Sequence, residues 1–294
     1  MEQTEGQVKV KQTKYIHDVL QRFGMENCNP AKTPLPQGAH FLKQDCPTTP
    51  DPKVVNEYRS MIGSINYLAV ATRPDLALAV SLASQVMESP ASMHVLWVKH
   101  ILKYLKGTTD LGITYTQQAN QPTLQGYSHG IKRLEQLPLS ILQGYSDSDW
   151  AGCRETRRSH SGYVFQLNGG PVSWYSKKQE CVAGSSTEAE YIALYHAGQE
   201  AVFLRDIVRD MNAAQPNPTV ILEDNTSCIQ LSKNFIMHNK TKHIDVKYHR
   251  LRELVNNQTI HVQQVSTQDQ LADFFTKIHG PTKFLAFRRS IMGA

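Results

Sequence analysis

The sequence has few of the features that mark secreted, disulfide-bonded or membrane-spanning proteins. It contains five cysteines, an odd number with wide spacing and no Cys-x-x-Cys pair: Cys28, Cys46, Cys153, Cys181 and Cys228. This usage argues against a disulfide framework or a zinc site and favours reduced thiols in an intracellular protein. No run of about 18 apolar residues occurs, and the polar, charged start of the chain does not resemble a signal peptide. We therefore expect an intracellular protein without a membrane segment.

No charge of one sign dominates either. The 294 residues include 31 Lys and Arg against 26 Asp and Glu, a formal net charge of +5. This mildly basic balance permits nucleic-acid binding without indicating it. Hydrophobic residues make up 40% of the sequence, enough for a sizeable core, and the length predicts two domains or one large domain.

The first 116 residues are predicted to be mainly helical. Thr13 is typical of a helix N-cap, and Gly24 stops that helix after Phe23. Further helices are predicted from Asp51 or Asn56 to Leu68, from Pro74 to about Met87, and over 91–106, with short strands at 7–11 and 111–116. Residues 117–140 are polar and irregular, which indicates a linker. We therefore predict an N-terminal unit (1–116), a linker (117–140) and a C-terminal unit (141–294).

The C-terminal unit is predicted to be a mixed α/β sheet. An apolar strand over 139–145 leads into Asp147 and Asp149. Two further strands flank Asn168-Gly169-Gly170, a strong hairpin signal. A long helix over 186–212, a strand at 220–222, helices at 226–233 and 243–255, and a strand at 260–265 follow. Helices at 268–276 and 282–291 complete an arrangement of strands with helices packed on them.

Four acidic residues fall where such a sheet places a functional site. Asp147 and Asp224 end strands, Glu190 lies in the first turn of the long helix, and Asp273 follows the last strand. Strand ends and helix starts at one edge of a sheet converge, and Mg²⁺ prefers carboxylate oxygens. Taken alone, the Asp147-Ser148-Asp149 group is more typical of a surface turn than of a metal site.

Longer segments of the chain resemble a known family. Residues 139–290 resemble the ribonuclease H domain of copia-type retrotransposon polyproteins, with the matching segments in the family's order: GYSDSDWAG, TRRSHSGYVFQLNGGPVSWYSKKQECVAGSSTEAEYIAL, LEDNTSCIQL, HNKTKHIDVKYHRLRE and DQLADFFTK. Residues 7–116 resemble the C-terminal end of the copia-type reverse transcriptase, through QTKYIHDVLQRFGMENCNPAKTPL, YRSMIGSINYLAVATRPDLALAVSLASQ and VLWVKHILKYLKGTTDLGITY.

The resemblance implies a fold and an activity. The fold would be α/β, a ribonuclease H-like mixed five-stranded sheet with flanking helices, preceded by a mainly helical thumb- or connection-like segment. The activity would be Mg²⁺-dependent hydrolysis of the RNA strand of RNA–DNA hybrids. The family's Asp-Glu-Asp-Asp set, which holds two Mg²⁺ ions with Mn²⁺ as the alternative, would consist of Asp147, Glu190, Asp224 and Asp273. Asp149, Glu188 and Glu223 fall outside that set.

Other candidate residues concern the substrate. The partner implied is an RNA–DNA hybrid, recognised through its phosphates and groove shape. The candidate contacts are basic, although each is also typical of a solvated surface: Arg154, Arg157, Arg158, Lys177, Lys178, Lys240 and Lys242. His243 and His249 are candidate helpers for proton or product movement, with a structural role as the alternative.

The N-terminal unit lacks the residues of a polymerase. No Tyr-x-Asp-Asp pair occurs before residue 116, so we expect no DNA synthesis by this chain alone. The palm and fingers of a reverse transcriptase would then be a further partner. The alternative function is a non-catalytic nucleic-acid-binding remnant. For an intact element, the resemblance implies a cytoplasmic virus-like particle.

Overall fold

The computed structural model describes residues 1–116, 142–213, 215–233 and 242–293, and the side chains of all these except 242–248. The predicted linker, 117–140, lies outside the described residues. The division into two domains around it stays a prediction.

The N-terminal residues form helices above a small sheet. Asp51 accepts a hydrogen bond from the Lys53 backbone nitrogen at 2.9 Å and caps the longest helix, whose first residue is a proline. The helices are α1 (Thr13–Arg22), α2 (Pro52–Ala71), α3 (Ala77–Ala83) and α4 (Ser92–Lys106). The antiparallel sheet has the order β1 (Glu2–Thr4), β2 (Gln7–Val10) and β3 (Ile113–Thr116).

A five-stranded mixed sheet organises the rest of the described chain, as predicted. Its strands are β4 (Gln143–Asp149), β5 (His160–Leu167), β6 (Gly170–Lys178), β7 (Thr219–Glu223) and β8 (Ile260–Gln264). Their spatial order is β6-β5-β4-β7-β8, antiparallel from β6 to β4 and parallel from β4 to β8. Tyr145 pairs with Leu222. Asp147 and Asp224 each lie two residues further along, so they reach the same edge of the sheet.

The predicted hairpin joins β5 to β6. Asn168 and Gly169 have φ angles of 52° and 74°, the left-handed values that a two-residue hairpin turn requires. Asparagine tolerates this conformation better than most residues, and glycine adopts it freely. The Asn-Gly pair therefore fixes the register of these two strands.

Four helices complete this part: α5 (Ser186–Asp210), α6 (Thr226–Lys233), α7 (Lys242–Asn256) and α8 (Pro281–Met292). The helix predicted over 268–276 is instead a short 3₁₀ turn, Leu271–Phe275. Gln270 explains the difference, because its buried amide donates to the Ser146 carbonyl at 2.9 Å and the Leu222 carbonyl at 3.4 Å. These bonds fix the segment to β4 and β7 before a regular helix forms.

Two hydrophobic cores support the structure. One lies on the sheet face covered by α5, α6 and α7. The other joins α1, α2 and α4 to side chains near the C-terminus, including Phe275, Phe284 and Ile291. Arg288 of α8 also donates to the hydroxyl of Tyr104 in α4 at 3.0 Å. Helix α8 thus packs into the core of the N-terminal helices. None of the helices in the described part of the chain has the length and apolar character needed to cross a bilayer.

Candidate metal centre and active site

Three predicted acids meet at one edge of the five-stranded sheet. Asp147 comes from β4, Glu190 from the second turn of α5, and Asp224 from the residue after β7. One carboxylate oxygen from each lies within 4.8 Å of the others. The parallel register of β4 and β7 brings the aspartates together, and α5 packs against β4 to add the glutamate. We call Asp147, Glu190 and Asp224 the carboxylate trio.

Asp147 and Glu190 are buried, Asp224 is half-buried, and Lys277 lies 3.6 Å from Asp147 Oδ2. Burial raises the pKa of Asp147 to about 6, against the opposing effect of Lys277. Burial and the neighbouring carboxylates of Asp147 and Asp224 raise the pKa of Glu190 well above its usual value. Among the residues that the structure describes, Glu190 Oε2 has no hydrogen-bond partner. An unpaired, buried carboxylate oxygen beside two others is costly unless a cation or a proton joins it.

Glu223 adds a further acid beside the trio. The sequence places it outside the ligand set, and the structure shows its side chain fully buried. Burial, and then the charge of Glu190, raise the pKa of Glu223 well above its usual range. Its Oε1 accepts from the Asn225 backbone nitrogen at 3.2 Å. Burial and the neighbouring acids therefore favour the neutral form of Glu223, which lies outside the trio.

Asp273, the fourth predicted ligand, has a different environment. Its Oδ1 accepts from the ammonium of Lys277 at 2.5 Å, and its Oδ2 accepts from Lys283 at 2.7 Å. Burial alone would raise the pKa of Asp273, but the hydrogen bonds from these two lysines bring it below the usual value. The described carboxylates that gather as a potential metal site do not include Asp273. The structure thus places it next to the trio, already neutralised.

Lys277 connects Asp273 to the trio. Its Nζ lies 3.6 Å from Asp147 Oδ2 as well as 2.5 Å from Asp273 Oδ1. Burial would lower the pKa of Lys277, and Asp147 followed by Asp273 raise it above its ordinary value. Thr276, the preceding residue, donates its hydroxyl to Asp147 Oδ2. The sequence reasoning missed Lys277 and Lys283, although the i, i+4 spacing of Asp273 and Lys277 is a recognisable ion-pair signal.

The trio fits a hard divalent cation. It offers three carboxylates, which is the donor chemistry of Mg²⁺, and Mg²⁺ usually takes few protein ligands beside substrate phosphates and water. The unpartnered Glu190 Oε2 is an oxygen that such an ion would satisfy. Asp149 lies outside the trio, half-buried on the same strand. Glu188 accepts a hydrogen bond from the Gly184 backbone nitrogen at 2.8 Å, so it stabilises the start of α5.

Three of the predicted nucleic-acid contacts border one cavity. Arg154, Arg158 and Lys178 line a space of about 310 Å³ together with Lys277 and residues 38–42 of the N-terminal unit. Lys178 is held by Gln85, whose Oε1 lies 2.5 Å from its ammonium. Asp149 is the acidic residue of the lining. The cavity is therefore a basic recess that begins beside Thr276 and Lys277 at the trio.

The remaining predicted residues lie elsewhere or outside the described side chains. Arg157 is exposed, and Lys177 is exposed and 3.7 Å from Glu180. His249 is exposed on α7. Lys240 lies outside the described residues, and only the backbone is described for Lys242 and His243. His279, which sequence reasoning did not single out, is buried with its Nε2 3.1 Å from the Asp273 carbonyl oxygen.

The chain is similar to known proteins over nearly its whole length. It is 40% identical over 286 residues to the retrovirus-related Pol polyprotein from transposon TNT 1-94 of Nicotiana tabacum, covering 96% of the chain and 20% of that protein. It is 36% identical over 282 residues to the corresponding polyprotein from transposon RE2 of Arabidopsis thaliana, covering 96% and 18%. The chain therefore spans about a fifth of the length of these relatives.

Two other comparisons are less informative. No protein-family model matches the chain. A solved structure of LC11-RNase H1 in complex with an RNA/DNA hybrid aligns at 14% identity with a TM-score of 0.34, covering 46% of this chain and 93% of that one. A TM-score at this level supports no conclusion by itself.

Proposed function

Because the chain belongs to the family of retrovirus-related Pol polyproteins of plant transposons, we propose that it is a Mg²⁺-dependent nuclease. Its substrate is an RNA–DNA hybrid, and the RNA strand is the one hydrolysed. The observation that carries this proposal is the carboxylate trio, whose oxygens gather within 4.8 Å while Glu190 Oε2 has no partner in the described part of the chain.

The residues of the trio bind the metal ion in this activity. Asp147, Glu190 and Asp224 hold the divalent ion, and Mn²⁺ can replace Mg²⁺ because both are hard cations. When bound, the ion supplies electrostatic stabilisation of the charge that develops on the phosphodiester group. Thr276 orients Asp147 through its hydroxyl hydrogen bond. Burial of Asp147 and Glu190 lowers the local dielectric constant, which strengthens charge interactions.

The basic recess supports the choice of a nucleic-acid substrate. Its cations Arg154, Arg158 and Lys178 lie beside the acidic site rather than within it. Phosphate contacts of this type position a strand without reading its sequence. A backbone that follows the recess passes Thr276 and so reaches the trio.

A cleavage assay tests the proposal. The purified chain is incubated with a hybrid labelled on its RNA strand, with Mg²⁺ or with a chelator, and compared with Asp147→Asn. We expect Mg²⁺-dependent cleavage that the variant loses. Asp269→Asn is the matched control, because it removes an equal charge at an exposed position outside both the trio and the recess and should retain cleavage. Equal cleavage by the wild-type chain and Asp147→Asn would exclude the nuclease.

The second candidate is a nucleic-acid-binding protein without catalysis. The observation that favours it is the recess itself, whose cations need no metal in order to attract phosphate. Hybrid binding that weakens steeply with salt, together with no Mg²⁺-dependent product, identifies this alternative in the same assay.

A further inference from the structure

Lys277 occupies a position that bears directly on how many metal ions the site holds. Its ammonium lies between two carboxylates, 3.6 Å from Asp147 Oδ2 and 2.5 Å from Asp273 Oδ1. A divalent ion bridging Asp147 and Asp273 would need the same place. Two positive groups cannot share it, since like charges at this distance repel strongly in a partly buried site.

The neighbouring contacts hold this arrangement in place. Lys283 bonds to the other oxygen of Asp273 at 2.7 Å, so both oxygens of that carboxylate are already paired. His279 lies 3.1 Å from the Asp273 carbonyl oxygen, and Thr276 bonds to Asp147. Lys277 lies two residues after the end of the turn that Gln270 attaches to β4 and β7. The ammonium is therefore positioned by the fold.

The two sides of Asp147 differ for this reason. Toward Glu190 and Asp224 there are acids and an unpartnered oxygen. Toward Asp273 there is a cation supplied by the chain. Only the first side lacks positive charge from the described residues.

We propose that Lys277 is a built-in cation that takes the place of a second metal ion between Asp147 and Asp273. The resting protein then binds one divalent ion tightly, at the trio. A second ion enters only when Lys277 is displaced, so its affinity is much lower. Lys277 is a positioning residue in this scheme, and it sets the metal stoichiometry. The inference rests on the proposed function for the trio's own ion.

Counting bound Mn²⁺ tests the proposal without any activity measurement. The full chain, freed of metal with a chelator, is titrated with Mn²⁺ while free Mn²⁺ is followed by electron paramagnetic resonance. We expect one tight site in the wild-type chain and two in Lys277→Met. The second site should tighten about tenfold or more, which is the effect that one charge at this distance has on a neighbouring ionisation.

Three further variants complete the experiment. Lys277→Arg keeps the charge and should restore a single tight site. Lys283→Met removes an equal charge from Asp273 but leaves Lys277 beside Asp147, so it should also keep one site. Asp147→Asn should lose the tight site. Thermal unfolding of each variant identifies any that fails to fold, and Lys277→Gln then replaces Lys277→Met as the neutral variant.

The outcomes separate this inference from the proposed function. Two tight sites in the wild-type chain, or one unchanged site in both neutral variants, would overturn the role of Lys277 and leave the trio's ion intact. No tight site in any protein would overturn the metal-dependent function itself.

Discussion

The carboxylates of the trio and the carboxylate of Asp273 lie at one edge of the same sheet but have opposite electrostatic environments. Asp147 and Glu190 are buried next to the half-buried Asp224, and burial and neighbouring carboxylates raise the pKa values of Asp147 and Glu190. Asp273 lies beside the trio with an ammonium on each oxygen, and its pKa is lowered. The difference shows that the fold places lysines against Asp273 but leaves the Glu190 and Asp224 side of the trio without a comparable partner among the described residues. Under the proposed function, a divalent cation would complete the site at the trio, whereas the carboxylate of Asp273 is already paired with two lysines.

The largest effect is expected when a carboxylate is removed from the trio. Glu190→Gln keeps the shape but loses the unpartnered anionic oxygen, so we expect Mn²⁺ affinity at the tight site and Mg²⁺-dependent cleavage to fall by about 100-fold or more. Isothermal titration and the hybrid cleavage assay measure the two losses. Glu188→Gln, half-buried on the same helix but outside the trio, is the control. Tight Mn²⁺ binding that survives in Glu190→Gln would contradict the assignment.

Removing the charge of Asp273 should instead lower the stability of the metal-free protein. Asp273→Asn leaves the ammonium groups of Lys277 and Lys283 without their partner, so we expect the metal-free protein to lose about 1–3 kcal/mol of unfolding free energy. Urea denaturation in the presence of a chelator measures it. Asp269→Asn, an exposed acid four residues earlier, supplies the comparison. A variant as stable as the wild-type chain would mean that the lysines do not stabilise the fold through Asp273.

Asp147 and Asp273 should affect the pH dependence of stability in opposite directions. The pKa of Asp147 in the folded protein is about 6, above its value of about 4 in an unfolded chain. Folding therefore takes up a proton between these values, and this stabilisation is complete below about pH 4 and lost as pH rises through 6. The pKa of Asp273 is lowered, so its contribution is present above pH 4 and is lost as the solution becomes more acidic.

The stability of metal-free Asp147→Asn should therefore increase relative to that of the metal-free wild-type chain as pH rises. At pH 8 we expect the variant to be more stable by about 1–3 kcal/mol, since one pKa unit corresponds to about 1.4 kcal/mol and the lost Lys277 contact offsets part of the gain. Below pH 4 the advantage should disappear. Urea titrations at several pH values provide the curve. A constant difference across that range would show that Asp147 titrates normally.

The smallest effect is expected for substitution of Arg154 and Arg158, which line the recess and contact neither the trio nor Asp273. Arg154→Ala with Arg158→Ala should leave Mn²⁺ binding unchanged while lowering the slope of log affinity against log salt for the hybrid by about 1.5. Fluorescence anisotropy on an Asp147→Asn background avoids cleavage. Arg209→Ala with Arg289→Ala makes the same charge change at exposed positions away from the recess. An equal slope change in both pairs would mean that the recess has no special part in binding.

Local signals explain what the sequence could predict. The Asn168-Gly169 pair specified its hairpin, and the acids at the ends of β4 and β7 converged because parallel strands place their ends at one edge. The helical expectation around Asp273 was wrong, since Gln270 bonds to carbonyls of two strands distant in sequence. Lys283 is ten residues from Asp273, and only the packing of α8 brings them together. Such long-range contacts leave no periodicity to detect.

The packing of α8 also constrains how the protein is made. Phe284, Phe287 and Ile291 complete a core whose other walls are α1, α2 and α4. During translation, an apolar face of α1, α2 and α4 stays uncovered until α8 has left the ribosome, and α8 begins 175 residues after the end of α4. Chains with such distant contacts fold slowly and expose surfaces that aggregate. We therefore expect synthesis of this chain to depend on chaperones, and a circular permutant that places α8 ahead of α1 should reduce that dependence.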